Sequence, residues 1–145
     1  MIRAFIDASV LIAACYSSSG ASREIILQAI RGNASLVISE LVIQETERNL
    51  ANKAPKALPA FHQFLDAVSF EFVRPTKQQI LQAAAYIALK DAPIVAAAKR
   101  AQVDYLVSLD RRHLVGLPEV AQKSGLRIVL PNQFLEEIRK QEGDD

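Results

Sequence analysis

Four acidic residues lie at positions that alternate with apolar segments of the chain, and these residues are Asp7, Glu45, Asp91 and Asp110. Carboxylates that lie close together repel one another and lose hydration, which is costly unless a cation neutralises them. Oxygen ligands with open coordination positions suit Mg²⁺ or Mn²⁺. A cation held in this way can lower the pKa of a bound water and bind a phosphodiester. The four acids therefore predict a magnesium or manganese site whose chemistry is phosphodiester hydrolysis.

The elements that must position these acids are short apolar segments separated by amphipathic ones. Five segments are predicted to be strands, namely residues 2–6, 36–38, 70–73, 105–108 and 126–130. Strands that alternate with helices form a parallel sheet with helices on both faces. We therefore predict an α/β fold, a three-layer α/β/α arrangement around a central, mostly parallel sheet of about five strands. Residues 1–140 are expected to form a single domain, and residues 141–145 a frayed tail.

The predicted sheet brings some of the acids together. Asp7 follows the first strand and Asp110 follows the fourth, and the carboxyl ends of parallel strands meet at one edge of a sheet. Glu45 can join them, because its helix leaves the second strand at that edge. Asp91 joins them only if its helix begins there, which the sequence leaves open. Each acid also has a structural interpretation, since Asp7 and Asp91 could cap helices and Glu45 could be a solvated helix residue.

Local signals set the helix boundaries near these acids. Thr76 and Gln79 match a capping box, which predicts a helix from residue 77 to about residue 89. The triplet at 91–93, Asp-Ala-Pro, predicts the start of another helix with Asp91 as its cap, because proline suits the first helical turn. Ser39 is predicted to cap the helix that carries Glu45.

The composition excludes several classes of protein. The formal net charge of +1 gives no global attraction to nucleic acid, so a nucleic-acid partner would need a local basic patch. No P-loop, GxGxxG or GxSxG motif is present, and His62 and His113 are too isolated in the sequence to predict a zinc site. The lone Cys15, the lack of about 18 consecutive apolar residues and the lack of a cleavage signal predict a cytoplasmic protein without a membrane partner.

Four segments together resemble a known family. They are residues 6–11 (IDASVL), 39–45 (SELVIQE), 91–98 (DAPIVAAA) and 104–110 (DYLVSLD). Their order and spacing resemble the acidic segments of PIN-domain nucleases over nearly the whole chain. Within that family the resemblance is to small prokaryotic proteins, many of which are toxins of toxin–antitoxin pairs.

The resemblance implies a role for each matching residue. It implies that Asp7, Glu45, Asp91 and Asp110 are the catalytic and metal-binding residues, with Asp104 as a further candidate ligand. Ser9 and Ser108 would support the site. The implied activity is that of a Mg²⁺- or Mn²⁺-dependent endoribonuclease that cleaves single-stranded RNA, with an antitoxin protein as a partner and a homodimer as the oligomeric state. One departure is Leu109, because the family often has glycine before the last acid.

The residues that follow Asp110 allow two interpretations. Arg111 and Arg112 could form an ordinary exposed turn, or they could bind RNA phosphates beside the metal. Two other functions also stay open. A phosphotransferase of the haloacid-dehalogenase type would use Asp7 as its nucleophile, although that family usually has a second Asp where this chain has Ser9. A binding module with an acidic pocket would have no activity at all.

Overall fold

A computed structural model describes residues 1–143 of the chain. Its five strands are β1 (Arg3–Ile6), β2 (Ser35–Ile38), β3 (Glu71–Phe72), β4 (Tyr105–Val107) and β5 (Ile128–Val129). They form one sheet in the order β3-β2-β1-β4-β5, and every pairing in it is parallel. In the central strand, Ala4 lies opposite Leu36 of β2 on one side and Tyr105 of β4 on the other.

Eight α-helices surround the sheet in the described residues. They are α1 (Ala8–Tyr16), α2 (Ala21–Ile30), α3 (Glu40–Lys53), α4 (Leu58–Ala67), α5 (Lys77–Ala83), α6 (Ala92–Ala101), α7 (Pro118–Ser124) and α8 (Pro131–Gly143), with a 3₁₀ turn at Pro55–Ala57. Helix α1 packs against α2, α3 and α4, and α6 packs against α5. The predicted α/β/α fold with a parallel sheet of five strands is confirmed.

The sheet owes its position to three apolar strands that are buried on both faces. Phe5 and Ile6 of β1, Val37 and Ile38 of β2, and Leu106 of β4 have no solvent exposure. Continuous apolar strands of this kind are typical of parallel sheets covered by helices. Their side chains belong to one cluster of buried residues, which fixes the strand ends rigidly enough to position polar groups just beyond them.

The helix boundaries differ from the predictions in three places. Helix α5 ends at Ala83 instead of near residue 89, because the chain turns over residues 84–91 to bring α6 back against α5. Helix α7 was not predicted, although Pro118 at its start and Gly125 just past its end are the usual signals of a short helix. Helix α8 continues to Gly143, so residues 141–143 of the predicted tail are helical, and Asp144 and Asp145 lie outside the described residues.

The capping predictions have mixed outcomes. The capping box of α5 is present, with Thr76 and Gln79 each accepting a hydrogen bond from the other's backbone N–H. Ser39 caps α3 by accepting a hydrogen bond from the backbone N–H of Val42. Asp91 occupies the cap position of α6, but its side chain makes no capping hydrogen bond within the described residues.

Over residues 1–143, no helix has both the length and the apolar character that a membrane crossing needs.

Candidate active site

Asp7 lies at the carboxyl edge, which we define as the edge formed by the C-terminal ends of the strands. Its backbone N–H still belongs to the sheet and donates to the carbonyl of Val107 over 3.1 Å. The residue is only 9% exposed, and its carboxylate accepts three hydrogen bonds. The backbone N–H of Ala8 donates to Oδ1 over 2.7 Å, and the hydroxyls of Ser108 and Ser9 donate to Oδ2 over 2.7 and 3.1 Å. Asp7 therefore begins α1 and at the same time faces the end of β4.

Opposing effects act on the protonation of Asp7. Burial is the largest and raises the pKa of Asp7 above its ordinary value. The three hydrogen bonds lower the pKa of Asp7, whereas the negative charge of Asp91 raises it, and the net shift is upward. A carboxylate in this state is charged at a cost, which a neighbouring cation would remove.

Asp110 is held by the turn that follows β4. Its backbone N–H donates to Oγ of Ser108 over 3.0 Å, and its Oδ1 accepts from the backbone N–H groups of Arg112 and His113 over 3.0 and 2.9 Å. Nδ1 of His113 lies 3.1 Å from Oδ2. Burial alone would raise the pKa of Asp110, but the hydrogen bonds from His113 and Arg112 outweigh it and lower the pKa. Asp110 is therefore a stabilised anion.

Asp91 has the fewest partners of the four acids. The turn over residues 84–91 delivers it to the carboxyl edge, where its Oδ2 is buried and has no hydrogen-bond partner within the described residues. Burial raises the pKa of Asp91, the charge of Lys90 lowers it, and the charge of Asp110 raises it. The prediction that Asp91 caps α6 through its side chain is wrong, because the carboxylate turns towards Asp110 instead of the helix N–H groups.

Glu45 lies in the second turn of α3 and is half-buried. Among the described residues its carboxylate accepts no hydrogen bond. Burial raises the pKa of Glu45, and the negative charges of Asp7 and Asp91 raise it further, while Arg48 opposes them. Glu45 therefore lies within electrostatic reach of two other acids, as expected from a helix that leaves β2 at the carboxyl edge.

The structure thus brings the four acids predicted from the sequence to one place, and we call them the acidic cluster. Mutual repulsion links Asp7 with Asp91, Glu45 with both, and Asp91 with Asp110. Oxygen donors, net negative charge and one buried carboxylate oxygen without a partner suit a hard divalent cation. The residues therefore fit the Mg²⁺ or Mn²⁺ that the sequence predicted.

His113 was judged too isolated in the sequence for a zinc site, and the structure places it beside two of the acids. Donor atoms of Asp91, Asp110 and His113 all lie within 4.8 Å of one another. His113 reaches the acidic cluster because it is three residues after Asp110 in the same tight turn. The spacing of three residues between Asp110 and His113 was the one sign in the sequence that the two side chains could meet.

Asp104, the further candidate ligand, lies at the opposite edge of the sheet. Its Oδ2 accepts a hydrogen bond of 2.8 Å from the backbone N–H of Arg3, and its own N–H donates to the carbonyl of Arg3. Arg3 and Asp104 lie at the starts of β1 and β4, whereas the acidic cluster lies at the ends of the strands. Asp104 as a metal ligand is therefore wrong, because it precedes β4 instead of following it.

The residues around Asp110 open into two cavities. Arg112 and His113 line a cavity of about 410 Å³ with the turn after α5 and the start of α7. Leu109 and Arg111 line another of about 360 Å³ with the loop between α1 and α2 and the start of α8. Both arginines are exposed. Leu109 has a negative φ and a side chain that is 43% exposed, so this position does not need the conformational freedom of glycine.

The class of protein is therefore an α/β/α fold with a parallel sheet of five strands and acids clustered at its carboxyl edge. The sequence profile of the PIN domain matches residues 3–112, which is most of the chain and contains the whole acidic cluster. The chain belongs to the PIN domain family. Membership of this family supports a nuclease role.

Solved structures of other proteins share the fold. PAE2754 from Pyrobaculum aerophilum is similar with a TM-score of 0.68 and 20% identity, over 96% of this chain and 90% of that one. VapBC2 from Rickettsia felis, bound to a DNA fragment from its promoter, is similar with a TM-score of 0.63 and 12% identity, over 89% of this chain and 98% of that one. DNA-bound VapBC from Salmonella typhimurium is similar with a TM-score of 0.61 and 17% identity, over 90% of this chain and 99% of that one. No protein of curated function matches the sequence.

Proposed function

We propose that this protein is a metal-dependent endoribonuclease that cleaves single-stranded RNA, and that it is the toxin of a toxin–antitoxin pair. The observation that carries the proposal is the acidic cluster, in which Asp91 keeps a buried oxygen without a partner while Asp7 and Asp110 are fixed by hydrogen bonds. Without a metal, such an arrangement destabilises the folded protein, and a bound cation would offset that cost. The PIN domain family supplies independent support.

The residues divide the work by how firmly each is held. Asp7, Asp91 and Asp110 would hold a Mg²⁺ or Mn²⁺ ion, and Glu45 would support them from α3. When bound, the cation lowers the pKa of a water and offsets the charge of the phosphodiester. Ser9 and Ser108 keep the carboxylate of Asp7 in one orientation by hydrogen bonds to Oδ2. Attack by water in line with the leaving oxygen gives products with a 3′-hydroxyl and a 5′-phosphate.

Arg111 and Arg112 are assigned to the phosphates that flank the cleaved bond. Their side chains line different cavities, and no residue lines both. A single-stranded RNA that passes over Asp110 would therefore contact one guanidinium group in each cavity. Guanidinium groups bind phosphates in a bidentate manner. Within the described residues neither arginine forms a salt bridge, so both are available to a substrate.

An antitoxin protein is proposed as the partner, because similar folds occur in the VapBC assemblies of Rickettsia felis and Salmonella typhimurium. The DNA in those structures belongs to those assemblies and is not assigned to this chain. A homodimer and a cytoplasmic location remain predictions from the resemblance and the sequence. Light scattering on the purified protein measures the oligomeric state directly.

The two alternatives make different demands on Asp7. A phosphotransferase of the haloacid-dehalogenase type usually has a second Asp two residues after its nucleophile, whereas this chain has Ser9 there, and the hydroxyl of Ser9 donates to Oδ2 of Asp7. The geometry therefore disfavours the haloacid-dehalogenase-like mechanism. A binding module without activity shares the same acidic cluster and is distinguished by assay alone.

The decisive experiment incubates the purified protein with single-stranded RNA in Mn²⁺, Mg²⁺ or EDTA and identifies the product ends. Asp7→Asn is the inactive variant, and Asp104→Asn is the matched control because it removes the same charge at the opposite edge. We expect metal-dependent cleavage by wild type and Asp104→Asn, with Asp7→Asn at least about 10²-fold slower.

Other outcomes identify the alternatives. Release of phosphate from small phosphate esters without RNA cleavage would favour the phosphotransferase. Binding of RNA without cleavage in either metal would favour the binding module. Equal cleavage by wild type and Asp7→Asn would mean that Asp7 is not part of the site or that a contaminating nuclease is responsible.

A further inference from the structure

His113 lies beside the acidic cluster, although it is not one of the four acids that the sequence predicted as metal ligands. Its Nδ1 is 3.1 Å from Oδ2 of Asp110, and both side chains are about one-third exposed. The backbone N–H of the same residue donates to Oδ1 of Asp110, so the turn holds the two residues side by side. The turn therefore presents the imidazole and the carboxylate as one unit.

The distances suit two ligands of one cation. Donor atoms placed at right angles about 2.1 Å from one octahedral cation are about 3.0 Å apart. The separation of Nδ1 and Oδ2 is 3.1 Å, and donor atoms of Asp91 complete a group that lies within 4.8 Å. A neutral imidazole that carries its proton on Nε2 offers its Nδ1 lone pair to a metal. Asp91 offers a carboxylate oxygen to the same group, and its Oδ2 has no hydrogen-bond partner in the described residues.

On this basis, and resting on the proposed metal-dependent activity, we infer that His113 is a nitrogen ligand of the cation held by Asp91 and Asp110. Its presence changes which cation the acidic cluster prefers. Carboxylates and water suit Mg²⁺ and Mn²⁺ alike, whereas imidazole favours first-row transition ions. His113 therefore gives the site a preference for Mn²⁺ over Mg²⁺.

The alternative role of His113 is to donate a hydrogen bond from a protonated Nδ1 to Asp110. In that case His113 would only position Asp110, and its loss would weaken the binding of both cations by a similar factor. Direct ligation instead weakens Mn²⁺ binding selectively and leaves a spectroscopic sign, because a nitrogen nucleus is then bonded to the paramagnetic ion. The chain has two histidines, so such a signal has a simple assignment.

The experiment measures Mn²⁺ and Mg²⁺ binding by calorimetry and nitrogen coupling to bound Mn²⁺ by pulsed electron paramagnetic resonance. Wild type is compared with His113→Gln and with His62→Gln, a matched control on the exposed side of α4. We expect nitrogen coupling in wild type and His62→Gln and none in His113→Gln. The affinity of His113→Gln for Mn²⁺ should fall about tenfold or more, and its affinity for Mg²⁺ much less.

A second measurement does not depend on whether His113→Gln folds. Wild type labelled with ¹⁵N-histidine alone should show the coupling change from that of ¹⁴N to that of ¹⁵N. Bound Mn²⁺ without nitrogen coupling, or equal losses of Mn²⁺ and Mg²⁺ affinity in His113→Gln, would overturn the inference while leaving the nuclease proposal intact. Wild type that binds neither ion at millimolar concentration would instead remove the nuclease proposal and the inference with it.

Discussion

Ser108 donates a 2.7 Å hydrogen bond from Oγ to Oδ2 of Asp7, which joins two residues that are 101 positions apart. The same Oγ accepts a hydrogen bond of 3.0 Å from the backbone N–H of Asp110. The Ser108 side chain has no solvent exposure, so water does not replace either contact. One hydroxyl therefore sets the position of Asp7 relative to Asp110 and couples the ends of β1 and β4.

Replacing Ser108 with alanine should reduce both stability and turnover. The variant leaves the part-buried backbone N–H of Asp110 and the buried Oδ2 of Asp7 each short of a partner, which costs about 1–3 kcal/mol in the free energy of unfolding. Loss of the hydrogen bond also raises the pKa of Asp7 further and frees its carboxylate to move. Urea unfolding and kcat for RNA cleavage measure the two effects.

Ser124→Ala is the matched control for this prediction. Ser124, the last residue of α7, is also buried, and its Oγ accepts from the backbone N–H of Leu126, a contact that involves none of the four acids. We expect a comparable loss of stability with little change in kcat. If the two alanine variants lowered kcat equally, the contact between Ser108 and Asp7 would serve stability alone.

Asp91→Asn should make the metal-free protein melt at a higher temperature than wild type. Burial raises the pKa of Asp91 and Asp110 repels it, while its Oδ2 has no hydrogen bond to lose. Removing its charge therefore relieves repulsion at little structural cost. Asp91 suits this test better than Asp7, because an asparagine at position 7 would disturb the hydrogen bonds from Ser9 and Ser108.

The same variant should gain less from added metal. At a hundredfold excess over Kd, Mn²⁺ should stabilise wild type by about 2.7 kcal/mol. Asp91→Asn lacks one ligand and should gain much less at the same concentration. Thermal unfolding in EDTA and in millimolar Mn²⁺ measures both effects, with Asp66→Asn on the exposed face of α4 as the control. A variant that melts lower in EDTA yet gains as much as wild type contradicts the metal site.

The stability of the metal-free protein should also depend on pH. The folded state raises the pKa of Asp7, Glu45 and Asp91, mainly by burial, so it holds protons more tightly than the unfolded chain does. The free energy of unfolding from these groups therefore falls as the pH rises from about 4 through their raised pKa values. Asp110 acts in the opposite direction, because its pKa is lowered.

A variant comparison isolates this contribution from the other carboxylates. In EDTA, the double variant Glu45→Gln/Asp91→Asn should lose less stability than wild type between pH 4.5 and pH 7. Urea unfolding across this range gives the difference between the two proteins, in which unrelated groups cancel. Parallel pH profiles would show that burial and repulsion do not act on these two side chains as the structure indicates.

Some of these relationships are readable from the sequence and others are not. Asp7 follows β1 directly and Asp110 comes shortly after β4, so local hydrophobicity alone predicts that they share an edge. The position of Asp91 depends on the turn after α5, which arises from packing of α6 against α5 and leaves no clear pattern in residues 84–91. The place of Asp104 is readable in the same way as those of Asp7 and Asp110, because a residue that precedes β4 lies at the opposite edge of the sheet from one that follows it.

Cooperation between neighbouring residues was the hardest feature to predict. His113 contacts Asp110 because the turn after β4 closes through two backbone hydrogen bonds to Oδ1. The sequence pattern indicates a phosphate-binding or an exposed turn through Arg111 and Arg112, but apart from the spacing of three residues it carries no sign that His113 folds back onto Asp110. The departure at Leu109 has no structural cost, since its backbone φ is negative and its side chain faces solvent.

The last prediction concerns Arg111 and Arg112, whose exposed side chains line the two cavities beside the acidic cluster. Each phosphate contact with single-stranded RNA contributes about 0.7 to the slope of log affinity against log salt concentration. Each single alanine variant should therefore reduce the slope by about 0.7, and the double variant by about 1.4. Fluorescence anisotropy in the inactive Asp7→Asn background measures binding without cleavage.

Lys53→Ala provides the control, because Lys53 ends α3 and that helix runs away from the carboxyl edge. Its removal subtracts the same charge but no phosphate contact, so the slope should stay unchanged. If only one arginine variant changes the slope, the RNA occupies one cavity instead of crossing both. If neither variant changes the slope, the two arginines do not contact phosphate, and the turn that carries them is an ordinary surface turn.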